Sequence, residues 1–142
     1  MGRAWIGSNV TGMTIGSIAS VIAAVVVGAG VPLAGGWSTK ISGAPSAQFN
    51  GVWKLRFAPN GSYVISKAGK TLVAGKATFK GTTVTFHDVS GPASCIGMQA
   101  IGSYTWAITG SKLRLKPARE PCAGRRFVLD RMFARAKNLP PA

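Results

Sequence analysis

From Trp53 to Leu129, apolar side chains return at every second position over most of the chain. Trp53, Leu55 and Phe57 alternate with Lys54 and Arg56, and Tyr63 and Ile65 follow after a break. Ala77 and Phe79 stand between Lys76, Thr78 and Lys80, and Val84 and Phe86 continue the pattern up to His87 and Asp88. Tyr104, Trp106 and Ile108 alternate with Thr105 and Ala107, and Leu113 and Leu115 with Lys112, Arg114 and Lys116. Phe127 and Leu129 come last, after Gly-Arg-Arg. A period of two is that of a strand with one face in a core and the other in water.

The breaks between the runs are turn signals. Asn60-Gly61 is a strong hairpin dipeptide, so Asn60-Gly61-Ser62 is read as a turn although it is formally a glycosylation sequon. Ala68-Gly69, Lys80-Gly81-Thr82 and Ser90-Gly91-Pro92 end the next runs. Strand-like runs at spacings of about 8–12 residues predict an all-β antiparallel up-and-down meander. Such a meander closes readily into a small barrel, which leaves no exposed edge. Seven strands are expected between 53 and 129, and the tail from Met132 is a short strand or a helical turn.

Upstream, 15–33 carries no charged residue, and its apolar centre is diluted by Gly and Ser. That is short for a spanning helix and fits a secretory signal, with small residues Ala34 and Gly36 before a cut ahead of Trp37. The expected organisation is a signal peptide or membrane anchor over 1–36, a linker over 37–50, the barrel over 51–131 and a tail over 132–142. The protein is then secreted or held in the cell envelope, anchored there if the leader is kept.

The two cysteines, Cys95 and Cys122, stand 27 positions apart. Behind an export leader they are expected to form one disulfide. Closing such a loop stabilises a small fold by about 3–4 kcal/mol in the chain-entropy picture.

At Gly51-Val52-Trp53 the chain resembles lipocalins, whose first barrel strand opens on Gly-X-Trp. The later run G-S-Y-T-W-A-I-T-G-S-K-L-R-L, with P-C-A-G-R-R downstream, looks like small secreted bacterial lipocalin-like domains. Glu120 stands where they commonly carry an aspartate. The resemblance implies a barrel closed by an arginine packed over the tryptophan. Arg126, Arg131 and Arg135 are the candidates, and the expected closure set is Gly51, Trp53 and Arg131.

Chemistry is scarce. The chain has 17 Lys plus Arg against 3 acids, a single histidine and a net charge of +14. The lone His87 reads as a surface residue, and no second histidine exists to build a metal site with it. No nucleophile elbow, phosphate-binding loop or dinucleotide fingerprint occurs. Asp130 lies among Arg125, Arg126 and Arg131, which suggests an ion pair rather than acid–base work. A non-enzymatic monomer without metal or cofactor is expected.

Two binding surfaces follow. Trp53, Leu55, Phe57, Tyr63, Phe86, Tyr104 and Trp106 would line a lumen able to hold a small apolar or amphipathic ligand, or would simply fill it. Lys54, Arg56, Lys112, Arg114 and Lys116 would face outward, toward anionic membrane lipid or cell-wall polymer. Nucleic acid is disfavoured, because the aromatics share the core phase instead of offering an exposed stacking platform.

Overall fold

A computed structural model describes residues 31–136. Residues 1–30 of the expected leader and the end of the tail lie outside the described residues. The described part is all-β with one short α-helix. Eight strands run in chain order: β1 Gly35–Ile41, β2 Gly51–Phe57, β3 Ser62–Lys67, β4 Lys70–Lys80, β5 Thr83–Ser90, β6 Ile101–Thr109, β7 Lys112–Arg119 and β8 Met132–Arg135. Helix α1, Ala123–Leu129, lies between β7 and β8. Each strand pairs antiparallel with its neighbour in sequence, and β8 returns to β1, so the sheet is a closed barrel.

Six of the expected strands stand as β2 to β7. The other two strands of the barrel come from outside the expected set. The last two residues of the expected leader and the start of the expected linker together form β1, paired along its whole length with β2 from Gly35↔Phe57 to Ile41↔Gly51. The cut considered ahead of Trp37 would remove two residues of this strand and the buried Leu33. The seventh expected strand, Phe127 and Leu129, is instead part of α1, which buries Arg125, Val128 and Leu129 at helical spacing. The tail supplies β8, whose Phe133 pairs with Leu113 on one side while Ala134 pairs with Ser38 on the other.

The alternation has the expected sense. Leu55, Phe57, Tyr63, Val84, Phe86, Tyr104, Leu113 and Leu115 are fully buried. Their rings interlock: Tyr63 meets Phe86 edge-on at 5.0 Å between centroids, and Phe86 meets Tyr104 edge-on at 5.4 Å. Edge-to-face pairs are the favoured aromatic geometry. Phe57 packs on Phe79 at 5.7 Å. The middle of the barrel is therefore filled by its own side chains.

The two ends differ. Tight turns at 58–61, 81–82 and 110–111 gather at one end, which is sealed. There Trp37 is fully buried and donates its indole N–H to the Leu33 carbonyl at 3.0 Å. The Arg135 guanidinium lies 3.9 Å from the Trp37 ring centroid and donates to the Ala34 carbonyl. This corrects the closure set. The glycine, tryptophan and arginine that lock the barrel are Gly35-Gly36-Trp37 and Arg135, not Gly51, Trp53 and Arg131. Arg131 instead stacks on Phe127 at 4.7 Å. The cation over Trp53 is Lys67, its cross-strand partner, at 5.3 Å.

Trp37→Ala should therefore destabilise the barrel by about 3–5 kcal/mol, the usual cost of emptying a packed tryptophan site. Urea unfolding monitored by far-UV circular dichroism checks this. A midpoint within error of the wild type would show that the sealed end does not hold the fold.

Candidate functional site

At the other end, the longer connections 42–50, 91–100 and 120–131 converge. They frame a cavity of about 520 Å³, here called the mouth. Its inner wall is Trp53 of β2, Ile65 of β3 and Leu72 and Val73 of β4. Phe49 from the 3-10 turn Ala47–Phe49 and Val128 of α1 form the opposite side. Pro92 and Ala93 complete the rim, and Lys67 stands at its edge. The volume falls in the range of small-molecule sites, and the lining is mostly apolar with few polar groups.

The helix has a local cause. Cys122 is extended and accepts at its carbonyl from the Arg126 N–H, which starts α1. The bond between Cys95 and Cys122, Cα atoms 6.3 Å apart, ties that start to the β5–β6 connection. Phe127 packs on Phe49 at 4.8 Å, so the helix leans over the mouth.

Beneath the cavity lies a buried charge cluster. Arg125 donates from Nε and Nη2 to Glu120 at 2.6 and 2.8 Å, and its Nη1 forms an ion pair with the Asp88 carboxylate at 3.1 Å. It also donates to the Ala100 and Gln99 carbonyls at 2.8 and 2.9 Å. Every nitrogen of the guanidinium thus has a polar partner. Asp88 also accepts from the Tyr63 hydroxyl and, at 2.8 Å, from the Cys95 N–H. Glu120 also accepts from the Tyr104 hydroxyl at 2.6 Å and the Cys122 N–H at 3.0 Å. The three charged side chains are at most 2 % exposed.

Two glycines make room for this cluster. A Cβ at Gly75 would lie 2.7 Å from the Tyr63 hydroxyl and 2.2 Å from the His87 carbonyl oxygen. A Cβ at Gly102 would lie 2.5 Å from both Glu120 oxygens. No side chain fits at either distance, so both tyrosines reach their carboxylates only over bare backbone.

The environment fixes the protonation of the tyrosines and the arginine. Burial, reinforced by Asp88, pushes the Tyr63 phenol far above its ordinary range. Burial and Glu120 do the same to Tyr104. For Arg125, burial works against the charge, but Glu120 and Asp88 outweigh it and hold the guanidinium charged. Among the described residues no group of His, Cys, Asp and Glu converges to hold a metal ion. The two buried carboxylates are instead bridged by Arg125.

Of the residues expected to line a lumen, only Trp53 lines the mouth. Leu55, Phe57, Tyr63, Phe86 and Tyr104 belong to the filled core. Trp106 is half-buried near the sealed end, and its indole N–H has no partner among the described residues. The Asp130 partner is Arg114, at 2.9 Å with both side chains 35 % exposed; Arg125 turns inward to Asp88 and Glu120. Ile65, Val73 and Asp88 were all in the inward phase of their strands, so periodicity pointed to them. Arg125 and Val128 carried no strand-phase signal because they lie on a helix.

The basic residues Lys54, Lys112 and Lys116 are exposed, and Arg56 and Arg114 are half-buried. Lys112 pairs with Ala134, Ala134 with Ser38 and Ser38 with Lys54, one row across four strands. Lys54 and Lys112 therefore face outward together.

No known protein family matches the chain, and no curated protein or solved structure is detectably similar to it.

The two tyrosines are the only ones in the chain, so the cluster has its own optical reporter. Below pH of about 10 they are protonated whether the chain is folded or not. Above it the unfolded chain releases both protons while the folded barrel keeps them. The folded state then binds more protons, and stability falls as pH rises. Phenolate absorbance should appear together with loss of the circular dichroism signal. Two phenols ionising reversibly near their ordinary pKa in an intact barrel would contradict the cluster.

Proposed function

We propose that this protein is an exported, non-enzymatic, lipocalin-like barrel that binds a small apolar or amphipathic ligand in its mouth. The observation that carries the reading is the apolar cavity of about 520 Å³ at the loop end of an otherwise filled eight-strand barrel. The glycine–tryptophan–arginine lock at Trp37 and Arg135 supports the lipocalin-like assignment. Export rests on the uncharged run over 15–33 and on the disulfide, which favours an oxidising compartment. The absence of catalysis rests on how the reactive groups are spent: Asp88, Glu120, Arg125, Tyr63 and Tyr104 satisfy one another.

Lys67 favours an amphipathic ligand over a purely apolar one. Its ammonium donates to the Gln48 and Asn50 carbonyls at the rim and has no carboxylate partner among the described residues. An anionic head group at the rim would meet this charge while the tail contacts Trp53, Ile65 and Val73.

Gly124 offers a clean test. It sits in α1, and a Cβ there would meet only the far end of the Phe49 ring at 4.0 Å, so a larger side chain projects into the mouth. Gly124→Leu should keep or raise stability by up to about 1 kcal/mol, since glycine is a poor helix former. It should also abolish the saturable change in tryptophan emission on adding dodecanoate. Lys67→Met should weaken dodecanoate by about tenfold, near 1.4 kcal/mol, and leave dodecanol unchanged. A wild-type protein that shows no saturable binding of either probe, or a Gly124→Leu variant that binds normally, would overturn the reading.

A second reading is favoured by one observation. All three acids are internal or paired, Asp88 and Glu120 with Arg125 and Asp130 with Arg114, so the outward cations are unopposed. That exterior suits an anionic lipid or polymer surface.

A further inference from the structure

The β5–β6 connection and the strand ends that flank it carry a concentration of exposed apolar side chains. Met98 is 95 % exposed, Ile96 78 %, Val89 65 % and Ile101 51 %. These are large hydrophobic residues, and the fold holds them out instead of leaving them loose. Cys95 is bonded to Cys122, and its N–H donates to Asp88. The carbonyls of Gln99 and Ala100 accept from Arg125. Ala93 N–H donates to the Leu72 carbonyl at 2.9 Å. The buried cluster thus presents Ile96 and Met98 on a rigid tip beside the mouth.

Basic groups stand on the strands that lead away from the tip. Lys76 pairs with His87, and His87 with Ile101, across β4, β5 and β6. Ser103, two residues on from Ile101 along β6, pairs with Arg119 of β7. Lys76, His87 and Arg119 are exposed, and so is Arg126 of α1. Apolar side chains at a tip with cations set back from it match the layering of a bilayer surface, hydrocarbon beneath anionic head groups. A soluble polyanion would use the cations and leave Ile96 and Met98 in water.

We infer that the β5–β6 connection docks on an anionic membrane, with Ile96 and Met98 entering the interface and Lys76, Arg119 and Arg126 meeting the head groups. This orientation sets the mouth against the lipid. It rests on the reading of a cationic exterior suited to anionic surfaces, and it adds where the contact is made. It does not depend on the cavity's being a ligand site.

The experiment is co-sedimentation of the full, oxidised chain with vesicles containing phosphatidylglycerol in phosphatidylcholine, against phosphatidylcholine alone. Binding is expected to the anionic vesicles and to weaken strongly between about 0.05 M and about 0.5 M salt. The double variant Ile96→Asp/Met98→Asp, at exposed positions, should melt like the wild type. It should lose at least about tenfold in vesicle affinity. The variant Lys54→Ala/Lys112→Ala, on another face, should bind normally. Vesicle binding that is intact in the Asp variant but lost in the Lys54/Lys112 variant would overturn the tip and leave the cationic exterior standing. No binding to anionic vesicles at low salt would overturn both.

Discussion

Arg125 is the hub on which the loop end of the barrel depends. Burying an ion is costly, and the cost is met only when every donor finds an acceptor. Here the guanidinium reaches two carboxylates and two backbone carbonyls from one helix position. Through them it fixes β5 by Asp88, the end of β7 by Glu120 and the β5–β6 connection by Gln99 and Ala100. The disulfide repeats the same link in covalent form, since Cys95 and Cys122 each donate an N–H to one of the two acids. Loops that would otherwise be the softest part of a small barrel are tied to its core.

The same arrangement shapes the exterior. A chain with so few acids could have used them as surface partners for its lysines. It places two of them inside, on one arginine, and pairs the third with Arg114. What remains outside is cation, with apolar residues concentrated on the connection that Arg125 supports. The cavity sits directly above the cluster, with Asp88 and Arg125 at its floor and apolar walls elsewhere. Core, mouth and surface charge thus follow from where three carboxylates are placed.

Much of this was legible in the sequence. The period-two runs gave six strands, their turns and the antiparallel barrel; they left open whether the inward side chains fill the interior or line a lumen, and the structure fills it. Asp88 continues the inward phase of Val84 and Phe86, so its burial could be read there, though a charged residue at a strand end invites the opposite reading. The disulfide followed from the compartment argument. What was hidden has physical reasons. β1 is built of Gly, Ser and Thr around Trp37 and Ile41, a composition that also suits a linker; its strand state comes from pairing on both sides with β2 and β8. α1 buries positions 125, 128 and 129, a helical spacing masked because its first member is an arginine. The tryptophan of the Gly-X-Trp lock was misplaced because two such motifs occur one strand apart, and only the arginine across the closing seam distinguishes them.

The buried Arg125 cluster, and not surface ion pairing, holds the loop end together. Urea unfolding of Arg125→Met set beside Arg114→Met tests it most directly. Removing the partner of buried carboxylates should cost about 3–5 kcal/mol, whereas breaking the half-exposed Arg114–Asp130 pair should cost under about 1 kcal/mol. Equal losses in the two variants, or an Arg125→Met protein as stable as the wild type, would contradict the account.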